Sequence, residues 1–170
     1  MKKILATALV LLAIACNMPS KETPKTDLPS AKHDYGTTAA YSSDFGLGDP
    51  ALGNKVVALW KDFDANTLDS VGSYFADSVY QEMPGYMGMM SRDSATASVK
   101  AYRKQLTACN TQIDAIIPVK ASEKDESLVC IWGRETAEAG GKKMLRDIHE
   151  VWGFNKDGKV TWIKQYELKK

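Results

Sequence analysis

Two short stretches of this 170-residue chain hold side chains whose types and spacing can do chemistry. The first, "VYQEMPGYMGMM" at residues 79–90, gathers Met83, Met87, Met89 and Met90. Four thioethers so close together can bind copper(I) in an oxidising compartment. They can equally line an apolar pocket or fill a core, because methionine is unbranched and polarizable. Pocket lining or packing is the expectation, with copper binding and an exposed partner-binding lip as the alternatives. The second stretch, "RDIHEVW" at 146–152, puts Arg146, His149 and Glu150 at strand spacing. A carboxylate on an apolar face is a candidate acid or base when its surroundings shift its pKa. No His/Cys/carboxylate spacing in the chain makes a zinc site, and no cofactor is implied.

The elements that must position these residues follow from periodicity. Asp49-Pro50 starts a helix on Leu52, Val56, Leu59, Trp60 and Phe63, running to about Asp64. After "DANT", Leu68, Val71 and Phe75 predict a second, short helix, followed by a strand over Val79 to Met83. Asp93 is the expected cap of a third helix carrying Ala97, Val99, Tyr102 and Leu106. From Thr111 the period becomes two, predicting strands near 111–122, 127–138, 142–154 and 159–168. Helices first and antiparallel strands last make an α+β domain, a cone-shaped curved sheet wrapped around three N-terminal helices with a pocket inside.

Turn chemistry sets the register. Two-residue loops at Gly140-Gly141 and Asp157-Gly158 place Glu150 opposite Ile131 and Gln165, Arg146 opposite Glu135, and Trp152 opposite Ile163. The candidate interior face is then Val129, Ile131, Glu135, Arg146, Ile148, Glu150, Trp152, Ile163, Gln165 and Glu167, provided no bulge intervenes. The outer face collects Trp132, His149, Val151, Trp162 and Tyr166, with Arg134 across from Asp147. Large aromatics on an outer face need cover, so a homodimer through Trp132, Trp162 and Tyr166 is expected, with His149 as an interface histidine. If "ASEKDES" turns near Lys124-Asp125, Cys130 lies opposite Pro118 or Val119 and too far from Cys109 for a disulfide.

The N-terminus speaks to compartment. Met1-Lys2-Lys3 precedes an apolar run from Ile4 to Ala15, too short to cross a bilayer and laid out as a secretory signal. "LLAIAC" resembles the lipobox of bacterial lipoproteins, which implies acylation of Cys16. Asn17 is not the aspartate that retains many such proteins at the inner membrane, so the resemblance implies an outer-membrane anchor. Residues 16–47, with Pro19, Pro24, Pro29 and His33, read as a flexible lipidated tether able to hold the domain, residues 48–170, roughly 30 Å from the bilayer. Loss of residues 1–15 removes Lys2 and Lys3, so the net charge goes from +1 to 1 − 2 = −1. No dense basic cluster survives, which argues against nucleic acid and leaves membrane attachment to the lipid.

"FADSVYQEMPG" and "EVWGFNKDGKV" carry a further resemblance, over about residues 52–168, to the nuclear transport factor 2-like superfamily and its SnoaL-like and ketosteroid-isomerase-like members. In the isomerases resembled by these motifs, an aspartate is the base, and a tyrosine with a protonated aspartic acid forms the oxyanion hole. The resemblance places Met83 at the base, Leu59 at the tyrosine and Glu150 at the aspartic acid. A thioether and an alkyl chain can neither accept nor donate that proton, so ketosteroid isomerization is rejected. The pocket expected from both arguments comprises Leu59, Met83, Ile131, Glu135, Arg146, Ile148, Glu150, Trp152, Ile163 and Gln165. Binding of a small, largely apolar molecule oriented by Glu150 and Gln165 is favoured. The alternative is a hydrolase or isomerase with Glu150 as catalytic acid/base, aided by Gln165 or the Arg146/Glu135 pair.

Overall fold

The structure is a computed structural model that describes residues 35–170. The expected signal peptide, Cys16, His33 and most of the tether lie outside the described residues.

Helix α1 spans Pro50–Ala65. Asp49 caps it by accepting a 2.8 Å hydrogen bond from the Ala51 N–H, and proline occupies a position where no N–H is needed. The second predicted helix is a correction: only a four-residue 3₁₀ turn, Val71–Tyr74, forms there. Gly72 weakens helix propensity inside this turn, and Phe75 is drawn instead into strand β2, Phe75–Met83, by pairing with Val160. Helix α2, Arg92–Lys104, is capped by Ser91 rather than Asp93, with the Ser94 N–H donating to Ser91 Oγ at 3.2 Å. Asp93 sits in the first turn, where a negative charge favours the helix dipole.

Seven strands form one curved sheet that does not close on itself. Besides β2 they are β1 (Phe45–Leu47), β3 (Tyr86–Ser91), β4 (Ala108–Ala121), β5 (Ser127–Ala139), β6 (Lys142–Phe154) and β7 (Val160–Lys169). Their order is β1-β4-β5-β6-β7-β2-β3. The sheet is antiparallel except where β2 runs parallel to β7, a pairing that hairpin reasoning cannot see because its partners are 80 or more residues apart. The α+β cone is as expected, wrapped around two helices and a 3₁₀ turn.

The registers around β6 match the expectation. Glu150 pairs with Ile131 and Gln165, Arg146 with Glu135, and Trp152 with Ile163. The 157–158 turn differs, because a register shift after Gly153 leaves Asn155 closing a longer loop, its side chain accepting from the Asp157 and Lys159 N–H groups. In the first hairpin Cys130 pairs with Ile117, one residue from the expected position, and both cysteines are free. The tether boundary also moves: β1 pairs with the end of β4, and Tyr41 lies edge-on to Trp162, 6.2 Å between centroids.

The core fills the concave side of the sheet. Val56, Leu59, Val79, Val129, Ile131, Phe154 and Val160 are buried there, beneath α1. Curvature needs a bulge in β4 between Ile113 and Ala115, opposite Gly133. A Cβ at Gly133 would sit 2.1 Å from the Gln112 carbonyl oxygen, so the bulge closes only over glycine. Gly133→Ala is therefore expected to lower unfolding free energy by about 2–3 kcal/mol, whereas Gly46→Ala, with nothing within 4 Å of the added methyl, is expected to be near neutral. Urea denaturation of the two variants checks this.

Candidate functional site

The hollow between α1, α2 and the strands β5, β6, β7 and β2 is a cavity of about 460 Å³. This lies within the range of about 300–1,000 Å³ typical of small-molecule sites. Trp60, Phe63, Phe75, Ala95, Val99, Ile148 and Ile163 make its apolar wall.

Glu150 is the polar centre. It is buried at 9% exposure, and its Oε2 accepts two hydrogen bonds of 2.8 Å, one from Trp60 Nε1 on α1 and one from Trp152 Nε1 two residues along β6. Both donors use the same oxygen, and among the described residues no hydrogen bond reaches Oε1. Burial raises the Glu150 pKa from its ordinary value to about 7, opposed by the two indole hydrogen bonds. Nearby, the amides of Gln81 and Gln165 line the same cavity from β2 and β7.

At the wider end the strands carry a charged network. Arg146 donates from Nε to Glu135 Oε1 at 3.0 Å and from Nη1 to Glu167 Oε2 at 2.8 Å, while a further Nη2 contact also reaches Glu135. Lys169 Nζ approaches Glu167 Oε1 at 3.2 Å. Burial would depress the guanidinium pKa, but the hydrogen bond and charge of Glu135 outweigh it and hold Arg146 above its usual value. Arg146 also lies 5.9 Å from the centroid of Tyr102, which stacks on Phe63 at 6.0 Å. Those two rings are held at the mouth by the helix ends. Arg103, buried at the end of α2, donates to the carbonyls of Phe63, Asp64 and Leu106. Asp64 in turn receives the Thr111 N–H at 2.8 Å and its hydroxyl at 2.9 Å.

Seven of the predicted pocket residues line this cavity: Met83, Glu135, Arg146, Ile148, Glu150, Ile163 and Gln165. Leu59, Ile131 and Trp152 do not. All three are buried in the core beneath the cavity floor, Trp152 because its indole turns toward Glu150. Glu150 is held by the two indoles, and Gln165 lines the cavity beside it. Trp60, Gln81, Phe63 and Tyr102 are site residues that sequence reasoning did not single out. Gln81 had a signal, since a polar residue between Val79 and Met83 at period two faces inward.

The methionines divide. Tyr86–Ser91 is a strand, so its side chains alternate, and pairing with β2 puts Met90 with buried Val79 and Met83 with Tyr86. Met87 and Met89, paired with Glu82 and Tyr80, face outward at 71% and 61% exposure. The four thioethers therefore belong to opposite faces of one hairpin and cannot surround a single copper ion.

No protein-family model matches the sequence, and neither does any curated protein. Solved structures do. A SnoaL-like protein from Shewanella denitrificans, provisionally assigned as a polyketide cyclase, superposes with a TM-score of 0.58 at 9% identity, over 71% of this chain and 92% of its own. An NTF2-like protein of unknown function from Exiguobacterium gives 0.51 at 16% identity, over 62% and 91%. The fold is nuclear transport factor 2-like. A LEH-like epoxide hydrolase from M. tuberculosis shares this fold as well, with a TM-score of 0.55 at 13% identity over 70% and 84% of the two chains. At such identities the likeness is one of fold, and the chemistry must be read from this chain's own nuclear transport factor 2-like cone.

The raised pKa of Glu150 has a stability consequence. A carboxyl that binds its proton more tightly when folded adds stability below its ordinary pKa of 4.5, and that contribution disappears as pH rises to about 7. Glu150→Gln keeps an oxygen for both indoles and removes the titration. Its melting temperature is expected to match the parent near pH 4.5 and exceed it at pH 8, by the equivalent of roughly a few kcal/mol. Equal pH profiles for the two proteins, measured by calorimetry, would contradict the assignment.

Proposed function

We propose that this chain is a membrane-tethered lipoprotein of the bacterial cell envelope whose cone binds one small, largely apolar molecule. The observation that carries the binding reading is the cavity itself, where an apolar wall is joined by Glu150, Gln81 and Gln165, and where among the described residues no hydrogen bond reaches Glu150 Oε1 or the two amides. Polar groups that open onto a hollow, and do not pair with one another, suit a molecule that brings its own polar group. Hydrophobic burial supplies the affinity, and the amides and carboxyl set the orientation.

Attachment through Cys16 and an outer-membrane location rest on the "LLAIAC" motif and Asn17. A homodimer through the outer sheet face is supported by the exposed rings there. Trp132 and Tyr166 flank His149 at centroid distances of 5.4 and 6.2 Å, and Ile117, Met87 and Met89 extend the apolar surface. Trp162, on the same face, is in a T-shaped contact with Tyr41 of its own chain.

A second reading, an enzyme using Glu150 as acid/base, is favoured by one fact: a pKa of about 7 lets the carboxyl give or take a proton at neutral pH. The absence of a second titrating partner within hydrogen-bond reach of Glu150 places it behind binding.

Ser98 lines the cavity from the exposed side of α2, so Ser98→Trp narrows the hollow without entering the core. A panel of small apolar alcohols and ketones is expected to raise the melting temperature of the parent and to leave Ser98→Trp unmoved. Turnover of an ester, epoxide or enone that vanishes in Glu150→Gln would instead establish the enzyme. Light scattering at micromolar concentration is expected to report a dimer, and a monomer would remove the proposed interface.

A further inference from the structure

The charges that line the cavity do not balance. Glu135, Glu150 and Glu167 face it, against Arg146 and Lys169. Arg146 is engaged by both Glu135 and Glu167, and Lys169 reaches Glu167 from a side chain that is 77% exposed. Both cations are thus committed to the two rim glutamates. Among the described residues Glu150 has only neutral indole N–H donors, both on Oε2, and feels Arg146 through its charge without a hydrogen bond to it.

An ionised carboxylate in a low-dielectric hollow is costly without a counter-charge. An anionic ligand would add a second negative charge beside it, and a neutral hydrocarbon would leave it unpaired. A cation would complete it. The lining suits that charge, since Trp60 and Phe75 add aromatic surface, and Phe63 and Tyr102 already hold the guanidiniums of Arg103 and Arg146 5.9 Å from their centroids, as ring faces attract cations. The amide oxygens of Gln81 and Gln165 are further acceptors for an N–H or a polarised C–H. We propose that the ligand is an organic cation, an ammonium carrying apolar substituents, seated with its nitrogen at Glu150 Oε1. This rests on the reading of the cavity as a ligand site and names the chemical class of the ligand.

The pairing needs the ionised carboxylate. Around Glu150 the titratable or charged groups are Glu135 from β5, Arg146 from its own strand, Glu167 and Lys169 from β7, and Tyr102 from α2. The lining residues of α1 and β2, Trp60, Phe63, Gln81 and Met83, do not titrate. Cation affinity therefore follows the ionisation of Glu150, which lies at about pH 7.

The test compares choline with 3,3-dimethylbutan-1-ol, which has the same shape with carbon in place of the charged nitrogen, each titrated into the full chain while tryptophan fluorescence is followed. Choline is expected to bind about tenfold more tightly than the alcohol at pH 8, and to lose about that factor on going to pH 6. The alcohol is expected to bind equally at both. Glu150→Gln should erase both the preference and the pH dependence. Should that variant fail to fold, Trp60→Phe serves: removing one indole donor raises the carboxyl pKa and shifts the choline midpoint to higher pH. Alcohol bound as tightly as choline overturns the cation while leaving the cavity reading intact. A choline affinity indifferent to pH or to Glu150→Gln overturns it too, as does choline failing to bind. The cavity reading itself falls only if the Ser98→Trp comparison also shows no ligand effect.

Discussion

A carboxyl group cannot be carried into an apolar interior unattended, and the arrangement that satisfies Glu150 organises the rest of this molecule. Trp60 on the first helix and Trp152 on the sheet both donate to Oε2, 2.8 Å away. The shared acceptor ties α1 to β6 across the hollow and turns the Trp152 ring down into the core. Because one oxygen takes both donors, the other is left facing the cavity. The same contact thus anchors the helix and fixes the carboxyl among the lining residues.

Around that centre the polar groups are layered. The deep part of the cone is hydrocarbon, while the wider end is closed by Glu135, Arg146, Glu167 and Lys169, whose charges are satisfied among themselves. Pairing of this kind is costly to break, since removing one partner strands another buried charge. Arg103 and Asp64 complete the frame by fastening the helix ends to each other and to β4, which keeps Phe63 and Tyr102 at the entrance.

Other proteins of this fold include ones described as cyclases and epoxide hydrolases. This cone holds Met83 on its wall and has Leu59 buried beneath it. Neither side chain can move a proton. The surroundings of Glu150 provide hydrogen-bond donors and amides in place of a second carboxylate at the same point.

What the linear chain settled by itself was local. Period-two alternation after Thr111 and the Gly140-Gly141 turn dictate the β5–β6 register, because a hairpin loop of known length leaves only one pairing, and that pairing puts Glu150, Arg146 and Ile148 on the inner face. The capping of α1 by Asp49 and Pro50 is likewise written in adjacent residues. Tertiary structure decided everything that joins distant segments. Trp60 meets Glu150 across 90 residues, β2 lies parallel to β7, and "GYMGMM" becomes a strand only because β2 offers it a partner, which sends Met83 and Met87 to opposite faces. Gly72 and the pull of Val160 on Phe75 likewise converted a predicted helix into a 3₁₀ turn. Local propensities are worth tenths of a kcal/mol per residue, and the pairing and burial that override them exist only once the chain has closed on itself.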